Sequence, residues 1–349
     1  MSKILVIYPN YDTVVTGGHI YDHCFIDRVC SSEQHSVNFM TEHVSLLEGS
    51  VFRKFKSIRK YDIILTNSRL YTRLIFLWLS LRLFSKCRLI CIHHHFNFMS
   101  YEDTGGRVIH FLLEKLFLFL STEVVIPSPY VRDIFTKMFP KKKIHYAELG
   151  VQKSFTEYRT HHSEEKQLSN KILFTGTVCR RKGVHFLVEA LNIINRKGID
   201  FSCTIIGREE NEKYGTFIHK QIQKYNLDNK IIFTEYVSIQ KLAEYYNTAD
   251  IFAFPSLLEG YGMVLIEAMS FGLPVVAFNN SAIPYTVKDR INGLLAKNKD
   301  ASDFADKIEL LLTNTTVYTK LSQGAFETSA QKRKMDDMLP DIDRFCKKI

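Results

Sequence analysis

Asp250-Ile-Phe-Ala-Phe-Pro-Ser-Leu-Leu-Glu-Gly-Tyr-Gly-Met-Val-Leu-Ile-Glu-Ala-Met-Ser-Phe-Gly-Leu-Pro-Val-Val-Ala-Phe278 reads as one complete structural unit. Residues 250–255 form a short, nearly continuous apolar run, as in a strand buried on both faces. A turn through Gly260 and Gly262 follows. Residues 262–271 are apolar almost all round, which suits a buried helix. Gly272 stands just past the helix, and Pro274 prevents its continuation. A second apolar run starts at once, at 274–278. Strand, crossover helix and strand in this order specify a parallel βαβ unit.

The same alternation extends outward in both directions. Apolar runs predict further strands at 3–8, 36–40, 62–67, 88–93, 123–127 and 143–148, and at 171–177, 202–207, 230–235 and 293–296. Most gaps between them hold a helix. Over 183–195, Val184, Leu187, Val188, Leu191 and Ile194 follow a period near 3.6, and Gly198 is a stop. The expected class is α/β, with two Rossmann-like, doubly wound domains. A chain of 349 residues is long enough for both. Expected domains are 1–155 and 156–330, with 331–349 a helix that returns to the first domain. The polar stretch 152–170 lacks a sheet period and suits the boundary. Ligands of such sheets bind beyond the carboxyl ends of strands, so two facing sheets would enclose a cleft.

Composition narrows the class. With 46% apolar and 24% charged residues the chain can bury a core, which excludes a disordered protein. The formal net charge is +9, of which residues 1–150 carry +6 (19 Lys and Arg less 13 Asp and Glu). The first half is the basic half and favours anionic partners. Its pattern lacks the aromatic–basic interleaving of a nucleic-acid reader, so nucleic acid is not an expected partner. Cys24, Cys30, Cys87, Cys91, Cys179, Cys203 and Cys346 form no CxxC pair, several lie in apolar strands, and their number is odd. Reduced, buried thiols and a cytoplasmic protein are expected. Met1 leads straight into a strand without a signal-peptide pattern, and no run of 18 uncharged apolar residues occurs.

The turn at 255–263 carries chemistry. Gly260 and Gly262 allow a ligand to approach the backbone closely. Amides at the helix start, near Tyr261, Gly262 and Met263, make an anion site. Glu259 precedes the helix and Glu267 lies in its second turn. A carboxylate beside a phosphate repels it, unless the ligand also presents hydroxyls to accept from. Glu259 facing a hexose and Glu267 a ribose, with a diphosphate between them, satisfies both groups. The alternative is that both are surface charges on an ordinary βα unit.

A longer pattern separates these readings. Pro255-Ser-x-x-Glu-Gly-Tyr-Gly-x4-Glu-Ala-Met-x2-Gly-x-Pro-Val-Val closely resembles the Glu-x7-Glu signature of the retaining glycosyltransferases of family four. The resemblance implies the GT-B fold and contacts from Glu259 to the transferred sugar and from Glu267 to the ribose. Phe174-Thr-Gly-Thr-Val-Cys-Arg-Arg-Lys-Gly183 is similar to the family's phosphate loop. Gly176, Lys182 and Gly183 match, which implies that Lys182 neutralises the departing diphosphate. Thr177 stands where the family has Arg, and Arg180 or Arg181 is the expected substitute. The resemblance also implies base contacts near Tyr236 and Val237, and places a His at the end of the strand 88–93. His93 or His94 takes that role. His93-His94-His95 does not suit a metal, because consecutive strand side chains alternate in direction. Thr16-Gly17-Gly18-His19 resembles the family's glycine pair, with Gly17 and Gly18 approaching acceptor and Gly18 also the donor phosphate. Segments 126–134, 149–155 and 292–295 extend the likeness over most of the chain, more specifically in its second half.

The resemblance implies transfer of a hexosyl group from a nucleotide diphosphate sugar to a glycan, lipid-linked or small-molecule acceptor, as in polysaccharide synthesis. No cofactor or obligatory metal is expected. Alternatives are an epimerase or phosphorylase of the same fold, or a silent partner subunit, for which Thr177 is the main support. One further segment invites two readings. Arg69-Leu-Tyr-Thr-Arg-Leu-Ile-Phe-Leu-Trp-Leu-Ser-Leu-Arg-Leu-Phe-Ser-Lys-Cys-Arg88 has an apolar run among five cations and contains the only Trp. It is either a core helix, the preferred reading, or a helix lying on an anionic membrane at its cytoplasmic face.

Overall fold

The computed structural model describes residues 2–8, 17–32, 35–41, 51–101, 103–150, 157–159 and 168–349. The chain divides into two compact units, Met1–Gly150 with Arg333–Ile349, and Val151–Lys332. The first contains strands β1 (Ser2–Tyr8), β2 (His35–Thr41), β3 (Ile63–Asn67), β4 (Arg88–Ile92), β5 (Glu123–Ile126) and β6 (Lys143–Tyr146). Its helices are α1 (Gly17–Cys30), α2 (Val51–Ile58), α3 (Tyr71–Phe84), α4 (Thr104–Leu120) and α5 (Pro129–Met138). The second contains β7 (Lys171–Thr175), β8 (Ser202–Ile206), β9 (Ile231–Thr234), β10 (Ile251–Phe254), β11 (Val275–Phe278) and β12 (Gly293–Ala296). Its helices are α6 (Val184–Arg196), α7 (Glu212–Lys224), α8 (Ile239–Thr248), α9 (Met263–Ser270), α10 (Ile283–Thr286), α11 (Ala301–Thr313) and α12 (Thr315–Ala330). Helix α13 (Leu339–Cys346) returns to the first unit.

Both sheets are wholly parallel. The first runs β2-β1-β3-β4-β5-β6, the second β12-β11-β10-β7-β8-β9. Val6 lies opposite Leu65, and Leu173 opposite Phe252. Strand order reverses between β1 and β3 in the first sheet and between β7 and β10 in the second. Adjacent crossovers leave in opposite directions there, which opens a crevice at the strand ends. All twelve expected strands are present. Several stop one or two residues early, because His93, Pro127, Gly176 and Gly207 leave the ladder to shape loops.

The central strands of each sheet, β1, β3, β4 and β5 in the first and β7, β10 and β11 in the second, are buried on both faces. In the second unit Val184, Leu187, Val188, Leu191 and Ile194 of α6 are all buried. In the first unit the segment 69–88 supplies a core helix: Trp78 is fully buried and stacks on Phe117 at 5.0 Å. Its indole N–H donates to Ser121 Oγ at 3.0 Å, which satisfies the one polar group such a ring brings inside. Helix α13 completes this unit by packing on α1. Phe345 meets Phe25 at 5.0 Å, and Arg28 grips Asp343 through Nε and Nη2 at 2.7 and 2.8 Å. All seven cysteines are free thiols. Most of the expected boundary stretch 152–170, and Thr16 of the glycine motif, lie outside the described residues.

Candidate active site

In the second unit, loops leaving β7 and β10 meet at the switch point. Backbone geometry brings them together. Gly183 has φ of 70°, and a Cβ there would lie 2.0 Å from the Pro255 carbonyl oxygen, so only glycine permits this approach. Leu257 N–H donates to Arg181 O at 2.8 Å, and Arg181 Nη1 donates to Leu258 O at 2.9 Å. The loop 279–282 supports the far side, with Glu259 N–H donating to Ser281 Oγ at 2.9 Å and Asn280 Nδ2 to Ser256 O at 3.1 Å. These contacts set Lys182 Nζ 2.6 Å from Glu259 Oε1, with Arg181 Nη1 3.5 Å from the same oxygen. Ser256 Oγ donates to it at 2.6 Å. Of the two arginines, Arg181 joins Glu259, whereas Arg180 lies over the Tyr214 ring.

Burial and charge compete here. Desolvation pushes the Glu259 carboxyl up, but Lys182, Arg181 and the Ser256 hydroxyl outweigh it and hold it below the usual range. Desolvation pulls Lys182 down, with Glu259 opposing. The group carries two cations against one carboxylate, a net positive charge suited to an anion. Helix α9 begins beside it. Gly262 adopts the left-handed conformation at φ 83°, and no side chain caps the first turn. First-turn amides without a side-chain cap point outward and attract anions. Gly260, Tyr261 and Met263 are partly exposed around this end. Glu267, one turn further on, is pushed up to about 7 by desolvation, against the Tyr246 hydroxyl at 3.5 Å and the charge of Lys182. Tyr246 Oη is also 2.9 Å from Thr175 Oγ1.

Thr177 lies partly exposed beyond β7. A surface cavity of about 310 Å³ opens past the ends of β8 and β9, lined by Gly207, Arg208, Glu209, His219, Phe233, Thr234 and Glu235. Val237 follows it, half-buried against the second core.

The first unit carries a polar cluster at its own switch point. Asp22 of α1 is buried and accepts from Tyr8 Oη at 2.6 Å, at the end of β1, and from Asn67 Nδ2 at 2.7 Å, at the end of β3. His94 Nε2, just past β4, is 2.7 Å from Asp22 Oδ1. Gly17 and Gly18 form the first turn of the same helix. The neighbouring histidine is unlike His94. His93 is fully buried against Phe96 and Phe135, with neither ring nitrogen hydrogen-bonded among the described residues. Desolvation holds it well below the usual histidine range, so it stays neutral. A side chain so enclosed does not reach a ligand, whereas the His94 side chain retains 16% exposure.

Asp22, Ser256 and Tyr246 are the side chains that sequence reasoning missed. Asp22 sits in a helix whose period does not mark it, and its partners come from three separate elements. Ser256 lies inside the Pro-Ser-x-x-Glu run, where its three-residue spacing to Glu259 was the available signal. Among the described residues no group of His, Cys, Asp and Glu is arranged to hold a metal ion.

Comparison with known proteins agrees with this geometry. Residues 157–328 match the sequence model of the family described as glycosyl transferases group 1. An uncharacterized glycosyltransferase of Haemophilus influenzae is 28% identical over 66% of this chain and 61% of its own. The capsular polysaccharide biosynthesis glycosyltransferase CapM of Staphylococcus aureus is 25% identical over 59% of this chain and 56% of its own. The chain thus spans somewhat over half the length of these curated relatives. Among solved structures, sucrose-phosphate synthase of Thermosynechococcus elongatus superposes with a TM-score of 0.78 at 18% identity, covering 100% of this chain and 99% of that one. Anabaena HepE, in complex with UDP and glucose, gives 0.73 at 17% identity, covering 100% of both. The twin parallel sheets, the signature segment at 255–276 and the family match together place residues 157–328 in the group 1 glycosyltransferases, in a chain whose fold is GT-B.

Proposed function

We propose that the protein transfers a hexosyl group, with retention at the anomeric carbon, from a nucleotide diphosphate sugar to a glycan, lipid-linked or small-molecule acceptor. The observation that carries this reading is the Lys182–Glu259–Arg181 group beside the uncapped start of α9. The diphosphate lies over the amides of Gly262 and Met263, within reach of Lys182 and Arg181. As the bond from the anomeric carbon to the diphosphate breaks, charge grows on the leaving oxygen, and these fixed cations stabilise it without reorganising. Glu259 accepts from sugar hydroxyls and Glu267 from the ribose. The cavity beside Glu235 and Val237 takes the base. In the first unit, His94, oriented by Asp22, serves the acceptor side with Gly17 and Gly18. Arg181 takes the role that the family gives to the residue at Thr177.

Likeness to HepE, solved with UDP and glucose, and to TarM of Staphylococcus aureus, solved with UDP, supports a uridine nucleotide as the first candidate. CapM and the amylovoran enzyme AmsK of Erwinia amylovora support a role in polysaccharide synthesis. A thermal-shift panel of UDP, GDP, ADP and their sugars tests the reading. A ligand about 100-fold above its Kd adds about 2.7 kcal/mol to the native state. One nucleotide is expected to raise Tm, and Lys182→Met to abolish the rise. If no nucleotide shifts Tm, the donor site is wrongly assigned.

A further inference from the structure

The outer faces of α3 and α4 are apolar where water-facing positions ordinarily carry polar side chains. On α4, Val108, Ile109, Leu112, Leu116 and Phe119 are exposed, Leu112 by 58% and Phe119 by 64%. Spacings of three and four residues set them on one stripe, with the buried Glu114, Phe117 and Leu118 on the other side. On α3, Phe76, Leu79 and Leu83 form a matching stripe opposite the buried Leu74, Trp78 and Leu81. The two helices pack against each other. Single exposed apolar residues are ordinary, but adjoining stripes on neighbouring helices mark a surface that something covers.

The charges say what covers it. Helix α3 has no acidic residue, and Glu114, the one on α4, is buried under the amides of Asn97 and Phe98 at 3.0 Å each. Every exposed charge on the two helices is therefore cationic: Arg73, Arg82, Arg107 and Lys115. Lys142 adds another at the end of α4, donating to Phe119 O and Ser121 O at 2.7 Å. A second copy of this chain, joined face to face, would set these cations against each other with no exposed carboxylate on either helix to separate them. An anionic bilayer meets both features, since its acyl boundary takes the stripes and its headgroup phosphates take the cations. We propose that the α3–α4 face of the first unit docks the protein on the surface of an anionic lipid bilayer. The docking is peripheral: among the described residues no helix is long and apolar enough to cross a membrane.

Flotation of the purified chain with vesicles tests this. Vesicles of phosphatidylcholine with phosphatidylglycerol are compared with phosphatidylcholine alone. The wild-type chain is expected to float with the former and to be released by salt. The variant Leu112→Ser/Leu116→Ser/Phe119→Ser changes only exposed positions. It should lose at least about tenfold in partition, while its near-ultraviolet circular dichroism and the nucleotide response of the second unit stay unchanged. Three outcomes overturn the proposal: a wild-type chain that ignores the anionic vesicles, a triple variant that binds them equally, or a wild-type dimer that the same substitutions make monomeric.

Discussion

Lys182 and Glu259, 2.6 Å apart where water hardly reaches, are each the other's main counter-charge, so removing one strands the other. Lys182→Met should cost ~3 kcal/mol in unfolding free energy, much of which Lys182→Met/Glu259→Gln restores. Under the proposed reaction, transfer should fall by roughly 10²–10³ in both, because the leaving diphosphate would lose the cation at Lys182. Denaturant titration beside turnover assays checks this, and wild-type stability in the single variant would contradict the pairing. Glu267 makes a separate prediction. Its folded value is raised from 4.5 to about 7, so its contribution to stability is complete below pH 4.5 and lost as pH rises through about 7. Full desolvation would make this ~3 kcal/mol, and partial solvent access reduces it to about 1–2 kcal/mol. Glu267→Gln should therefore raise the Tm of the ligand-free protein at pH 8 and leave it unchanged at pH 4, while weakening donor binding at pH 8. An equal change in Tm at both pH values would show that desolvation does not raise the Glu267 carboxyl. Asp22 accepts from two donors and lies beside a third polar group, His94. In Asp22→Asn the amide oxygen keeps Tyr8 and Asn67, which share one carboxylate oxygen, only with its N–H₂ turned to His94 Nε2, so a loss of about 1 kcal/mol is expected together with a drop in transfer. Asp22→Ala should be no milder, because it leaves the same donors unpaired.

At the scale of elements, the turn into α6 depends on Gly183. A side chain there meets both a left-handed φ, costing about 1–2 kcal/mol, and the Pro255 carbonyl. Since that contact holds the β7 loop on the β10 loop, Gly183→Ala should lower Tm and nucleotide affinity together. Calorimetry with and without nucleotide reads both, and a variant with lower Tm but unchanged affinity would disconnect the loop contact from the donor site. Elements with a strong apolar period were legible in the sequence: 183–195 became Val184–Arg196, and every strand appeared where its run predicted. The polar contacts were not. Lys182 and Glu259 are 77 residues apart, and Asp22 and His94 are 72 apart. Such pairs are made by sheet topology, which carries no local pattern. The choice between His93 and His94 depended on where β4 ends. Strand side chains alternate, so one residue of register sends one imidazole into the core and the next toward Asp22.

At the scale of the whole molecule, each unit has its own sheet and core, yet the last helix of the chain belongs to the first. Phe345 of α13 is buried against Phe25 and lies 4.8 Å from the His145 ring, so the first core includes a side chain from the far end of the sequence. Phe345→Ala leaves a cavity there and should cost about 3–4 kcal/mol. A chain of two units need not unfold in one step, so the effect belongs to one transition. Calorimetry should show the transition of the first unit lowered in Phe345→Ala. The transition of the second unit should stay at its wild-type temperature, because the loops that join Lys182 to Glu259 draw only on β7, β10, α9 and their neighbours. Arg28→Ala tests the same junction more gently. Its ion pair with Asp343 is exposed, with side chains at 44% and 41%, and solvent screening leaves such a pair little weight in stability. A ranking in which Phe345→Ala destabilises far more than Arg28→Ala would show that apolar burial, with the ion pair only setting register, fixes α13 on α1. The reverse ranking would show that charge holds it.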